Sequence, residues 1–258
     1  MRSTALVAAL LGSTLAAGAA TAQTVEGALP ADAQSRAEQE REKDMGAMGH
    51  HERTYSFVQT EVDYGDNDGV DQATWDIDAW IGGDRNKLWL KSEGESEDGD
   101  LEQAELQVLY SRNIATFFDA QIGLRQDFEP RGTTYLAAGV QGLAPYLLET
   151  DLTGFVSDDG DVSARFEQTF DVLLSQRLIL EPHLEANIQF QDVPERDLAA
   201  GFTDIEAGLQ LRYEITRKLA PYVDVEYART LGETAGLRRA GGDDVGGWAV
   251  RAGFRSWF

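Results

Sequence analysis

The chain has 258 residues, no cysteine, and 45 Asp and Glu against 22 Lys and Arg, a formal net charge of −23 at pH 7. So acidic a chain is excluded from nucleic-acid binding, where phosphates need clustered Lys and Arg, and it suits a surface whose field gathers cations. Without cysteine there is no disulfide and no thiolate site, so any metal must be held by His, Met or carboxylate.

Residues 1–22 read as a signal peptide. Arg2 precedes the apolar run from Ala5 to Leu15, and Ala20-Thr-Ala22 offers a small-x-small cleavage site before Gln23. The run is too short to cross a membrane as an uncleaved anchor, and nothing later approaches 18 consecutive apolar residues.

Residues 23–53 are rich in Ala, Gln, Glu and Arg and lack large apolar side chains. Such a segment cannot bury enough surface to order itself, so it is expected to be a mobile periplasmic arm. It holds Met45, Met48, His50 and His51, the only methionines besides Met1. Thioether sulfur suits Cu(I), while imidazole suits Cu(II), Zn and Ni, so this cluster can hold copper in either oxidation state. Chance clustering in a biased segment is the alternative.

From Thr54 the pattern has period two. Twelve segments are expected as strands: 54–64, 72–81, 87–93, 102–111, 116–127, 133–142, 146–156, 162–174, 178–191, 203–215, 221–229 and 247–258. Each puts Leu, Ile, Val, Ala, Phe or Tyr on one face and charged or amide side chains on the other, the pattern of a membrane barrel with a polar lumen. Tight turns alternate with longer loops, expected at 65–71, 94–101, 128–132, 157–161, 192–202 and 230–246. The last strand, Gly247 to Phe258, turns Trp248, Val250, Ala252, Phe254 and Phe258 one way and Arg251 and Arg255 the other. Its terminal aromatic resembles the signal by which bacterial outer-membrane barrels are handed to their assembly machinery.

A soluble antiparallel barrel or sandwich also alternates. It would lack an outer aromatic band, whereas Trp75, Tyr110, Phe118, Tyr146, Phe155, Tyr213, Tyr227, Trp248 and Phe258 are expected near the ends of outward faces. The fold class is therefore all-β: a twelve-stranded antiparallel transmembrane β-barrel of the bacterial outer membrane, over residues 54–258.

Within the barrel, Glu181, His183 and Glu185 share the inward face of one strand, spaced roughly 7 Å apart. They form a second candidate metal site, with Asp171, Glu167, Glu206 or Asp204 as further ligands. The alternative is an ion-pair network with Arg165, Arg212, Arg251 and Arg255, since narrow barrels fill their interiors with side chains. An enzyme is not expected. His183 is the sole histidine of the barrel, it points into the lumen and away from bilayer lipid, and no Gly-x-Ser-x-Gly elbow is present.

Several short stretches, in order, carry a likeness: Trp80-Ile-Gly-Gly-Asp84, Lys87-Leu-Trp-Leu-Lys-Ser-Glu-Gly94, Leu109-Tyr-Ser-Arg112, Gly142-Leu-Ala-Pro-Tyr146, Gln176-Arg-Leu-Ile-Leu180, Leu211-Arg-Tyr-Glu-Ile215 and Ala220-Pro-Tyr222. Through them the chain resembles the copper-resistance protein B family of Gram-negative outer membranes. The resemblance implies an outer-membrane barrel surrounded by lipid, copper ions, Cu(I) or Cu(II), as its ligand, and a periplasmic multicopper oxidase or copper carrier as partner. The family's arm carries repeated Met/His/Asp motifs, of which this chain keeps Met45, Met48, His50 and His51. A passive or structural barrel, acting as a pore or a tether for a periplasmic partner, is the alternative function.

Overall fold

Alternation of apolar and polar residues obliges each strand to show one face to lipid and the other to a shared interior. The computed structural model describes residues 53–258 and closes these strands into a ring. In chain order they are β1 (Tyr55–Asn67), β2 (Val70–Gly82), β3 (Asn86–Glu97), β4 (Asp100–Ala115), β5 (Phe118–Glu129), β6 (Thr133–Ala144), β7 (Leu148–Ser157), β8 (Val162–Thr169), β9 (Val172–Leu173), β10 (Leu178–Gln189), β11 (Gly201–Tyr213), β12 (Leu219–Thr230) and β13 (Gly246–Trp257).

Every neighbouring pair is antiparallel, and β1 pairs with β13 (Glu61 opposite Arg255), so no edge is left open. Both β8 and β9 pair with β10, through Thr169 opposite His183 and Val172 opposite Leu180. They are two halves of one stave, broken at Phe170 and Asp171, and the barrel has twelve staves as expected. Among the described residues no helix is long and apolar enough to cross a membrane; a barrel crosses with strands.

The burial pattern is that of a soluble protein turned inside out. Large apolar residues such as Val62, Ile122, Leu124, Leu209, Val250 and Phe254 are exposed on the outer wall, while Glu61, Asp78, Lys91, Glu105, Arg212 and Asp224 are buried. A soluble sandwich would bury the first set and solvate the second, so this inversion decides between the two fold classes left open by alternation.

The structure corrects the sequence reading in four places. The expected long loops at 65–71 and 94–101 are strand, closed by the two-residue turns Asp68-Gly69 and Asp98-Gly99, all four residues with positive φ. That is the backbone for which Asp-Gly hairpins are suited, and it carries the strand twist into the loop. The break in β8–β9 interrupts the segment expected to be continuous over 162–174. Phe155 faces inward, stacked edge-on against Tyr135 with ring centroids 6.2 Å apart, and is not part of the outer girdle.

Finally, the loop expected at 230–246 contains a helix, α1 (Gly232–Gly241). Its glycines and lack of an apolar stripe hide it from periodicity. It is held instead by Ala235, which is buried, and by Thr234 Oγ1, which accepts a hydrogen bond from Ala199 N at 3.0 Å. Gly242, with φ 97°, ends it in the left-handed conformation that suits glycine.

Candidate metal site in the lumen

The lumen splits into layers of paired charge. Near the rim where β1 begins and β13 ends, Glu181 is held by two guanidinium groups: Arg255 donates to its two oxygens at 2.8 and 2.9 Å, and Arg212 also bonds its Oε2 while holding Asp171. On the opposite wall Lys91 meets Asp151 at 2.9 Å and lies over the Trp89 ring. Higher up, Arg165 gathers Glu93, Glu105 and Glu185. Charges so enclosed need partners, because the desolvation of each is costly.

His183 stands apart from that scheme. Its neighbour across the β10–β11 ladder is Gly208, and on the next strand Gly208 faces Glu226. Gly208 has no side chain to block the way, so the imidazole lies flat over β11 and reaches β12. His183 Nε2 comes to 3.1 Å from Glu226 Oε2, and His183 Nδ1 to 3.7 Å from Asp224 Oδ1. One donor atom from each of His183, Asp224 and Glu226 falls within 4.8 Å of the others. One imidazole and two carboxylates in that span are a borderline N/O donor set, fit for Cu(II), Zn or Ni.

The trio sits below a cavity of about 660 Å³ that opens toward the rim opposite the end of β13. Glu226 and Arg251 line it, with Arg165, Glu206, Tyr135 and, above them, Arg196 from the β10–β11 loop. Arg251 closes the far side of the trio, with Nη2 at 2.7 Å from Glu226 Oε1 and 3.5 Å from Asp224 Oδ2.

Strand phase thus places Glu181, His183 and Glu185 on the inner face as expected, but the structure does not bring them together. Glu181 belongs to the Arg212–Arg255 clamp, and Glu185 lies 3.5 Å from Arg165 and accepts from Asn187 at 2.7 Å. Of the further carboxylates weighed, Asp171 is taken by Arg212, Glu167 lies 3.8 Å from Arg165, Asp204 accepts from Asn187 at 2.8 Å, and Glu206 lines the cavity. The partners of His183 are Asp224 and Glu226 on β12, which alternation turns inward on either side of Val225 but which sequence reasoning does not single out. Met45, Met48, His50 and His51 lie outside the described residues.

Against known proteins, residues 53–258 match the family model described as copper resistance protein B precursor (CopB). The chain belongs to the copper resistance protein B family. It is 40% identical over 205 residues to copper resistance protein B of Escherichia coli, covering 79% of this chain and 69% of that protein. It is 39% identical over 203 residues to the copper resistance protein B homolog of Pseudomonas syringae pv. tomato, covering 78% and 69%. The solved structure of the NanC porin superposes with a TM-score of 0.55 at 14% identity, over 76% of this chain and 98% of that one, a likeness of fold. The family match and the barrel thus span the same residues.

Proposed function

We propose that the barrel serves copper resistance by holding Cu(II) in its lumen at His183, Asp224 and Glu226, as a binding protein and not an enzyme. Membership of the copper resistance protein B family supports the role in copper resistance. The observation that carries the lumen site is the meeting of one imidazole and two carboxylates within 4.8 Å, in a barrel whose residues 53–258 contain neither Met nor Cys. Without sulfur the barrel offers only nitrogen and oxygen donors, which suit Cu(II) and fit Cu(I) poorly. The soft donors are all in the arm, so Met45 and Met48, with His50 and His51, are the place for Cu(I) on the periplasmic side.

A copper titration of the refolded full-length chain under oxidising conditions tests this. Wild type should show a Cu(II) site that is lost in His183→Ala; an unchanged site in that variant would move the copper to the arm. A second reading, a structural barrel that tethers a periplasmic partner such as a multicopper oxidase, is favoured by the Arg212–Glu181–Arg255 clamp, which ties β10, β11 and β13 together inside the lumen. It predicts no Cu(II) binding in the lumen by either protein.

A further inference from the structure

We infer that Arg251 makes the lumen site a place of transit: a built-in cation that shares the carboxylates of Glu226 and Asp224, keeping Cu(II) bound weakly enough to leave. The inference rests on the reading of His183, Asp224 and Glu226 as the Cu(II) site, and names what regulates it.

The two carboxylates are divided between opposite neighbours. Glu226 turns Oε2 toward His183 Nε2 at 3.1 Å and Oε1 toward Arg251 Nη2 at 2.7 Å. Asp224 turns Oδ1 toward His183 Nδ1 at 3.7 Å and Oδ2 toward Arg251 Nη2 at 3.5 Å. One oxygen of each acid therefore faces the imidazole, and the other faces the guanidinium. An ion beside His183 is offered single oxygens, and neither acid can chelate it with both without giving up Arg251.

Arg251 is itself held in place. Its Nη1 donates to Gln72 Oε1 at 2.5 Å, and its Nε lies 3.5 Å from Asp63 Oδ1, while Asp63 Oδ2 accepts from Tyr222 OH at 2.6 Å. The Arg251 side chain is 4% exposed, so its charge is poorly screened by water. A fixed positive charge directly behind two ligand carboxylates repels an arriving divalent cation and drains donor strength from the oxygens that remain. Conduction through a selective pore has the same requirement, binding favourable enough to enter and weak enough to leave. Storage would call for the opposite arrangement, with both acids free to chelate.

The test compares Cu(II) affinity and dissociation rate in the refolded full-length protein, its Arg251→Gln variant and its Arg251→Lys variant, with cupric chloride as probe and His183→Ala as reference. Gln keeps a hydrogen-bond donor and removes the charge, whereas Lys keeps the charge. Arg251→Gln should bind Cu(II) roughly tenfold to a hundredfold more tightly, with the gain in a slower dissociation, because a repelling charge has gone; Arg251→Lys should stay near wild type. If Arg251→Gln does not refold, Arg251→Gln with Asp63→Asn also removes the carboxylate that Arg251 Nε faces, and a smaller tightening in the same direction is expected, because Asp63 lies against Nε and not against the Nη2 that faces Glu226 and Asp224. Binding in Arg251→Gln that is equal to or weaker than wild type, in a protein that still loses the site with His183→Ala, would overturn the inference and leave the lumen site standing. Absence of any site dependent on His183 would overturn both.

Discussion

The imidazole of His183 occupies the space that a side chain at residue 208 would fill: a Cβ on Gly208 would stand 2.3 Å from His183 Nε2. This one missing side chain converts a lumen histidine into a bridge from β10 to β12. Gly208→Ala should therefore push the ring off β11 and away from Asp224 and Glu226. Positioning losses of this kind lower metal affinity by about tenfold or more. Cu(II) titration of the refolded variant checks it, with the barrel fold verified by circular dichroism.

Glu181 gives a contrast, because it is buried in an ion-pair clamp and not beside the imidazole. Glu181→Gln removes the anion that Arg212 and Arg255 share, but Arg212 keeps Asp171 and Arg255 keeps Glu61, so the cost is that of lost hydrogen bonds to a charged group, about 1.5–3 kcal/mol. Urea unfolding in micelles should show that loss, while the Cu(II) affinity of the folded fraction stays at the wild-type value. A loss of Cu(II) binding would make Glu181 a ligand after all.

On the outer wall, the Trp75 indole lies across Gly94, where an added Cβ would fall 2.0 Å from Trp75 Cζ2. Gly94→Ala must displace the ring from the barrel surface, an overpacking change worth roughly 1–3 kcal/mol. Unfolding should detect the destabilisation, and tryptophan emission should shift as the indole moves, with no change in copper binding.

At the loop rim, Arg196 is bonded to Tyr135 OH and donates to Thr133 Oγ1 at 2.6 Å, although its own loop joins β10 to β11 and its partners are on β6. The guanidinium also lies 5.5 Å from the centre of the Tyr135 ring. This strap spans part of the cavity mouth. Arg196→Ala should free it, raising single-channel conductance in planar bilayers and costing about 1 kcal/mol of stability. Unaltered conductance would mean that the strap does not narrow the path.

Period-two alternation was enough to place the staves, because one polar and one apolar face leave each strand a single way round in a membrane barrel. The strand Leu178–Gln189 shows both the strength and the limit of that signal. Phase correctly sends Glu181, His183 and Glu185 inward, yet which of them meet depends on the register of β10 on β11 and of β11 on β12, which alternation along one strand does not contain. The clue to the true partners was an inward glycine, Gly208, at the place where a large neighbour would block His183. Phe155 was misread for a related reason: an aromatic at a strand end fits either the girdle or an inner stack with Tyr135, and only its parity with Thr153 and Asp151 separates them. The helix at Gly232–Gly241 was illegible because its order comes from contacts with Ala199 and Thr203 and not from its own composition.

The proposed Cu(II) site in the lumen stands or falls with His183. The chain has three histidines, so in a full-length variant with His50→Ala and His51→Ala the sole imidazole is His183. Electron paramagnetic resonance of that variant loaded with one equivalent of Cu(II) should show coupling to a single imidazole nitrogen, abolished when His183→Ala is added. A spectrum with oxygen ligation alone, unchanged by His183→Ala, would contradict the account.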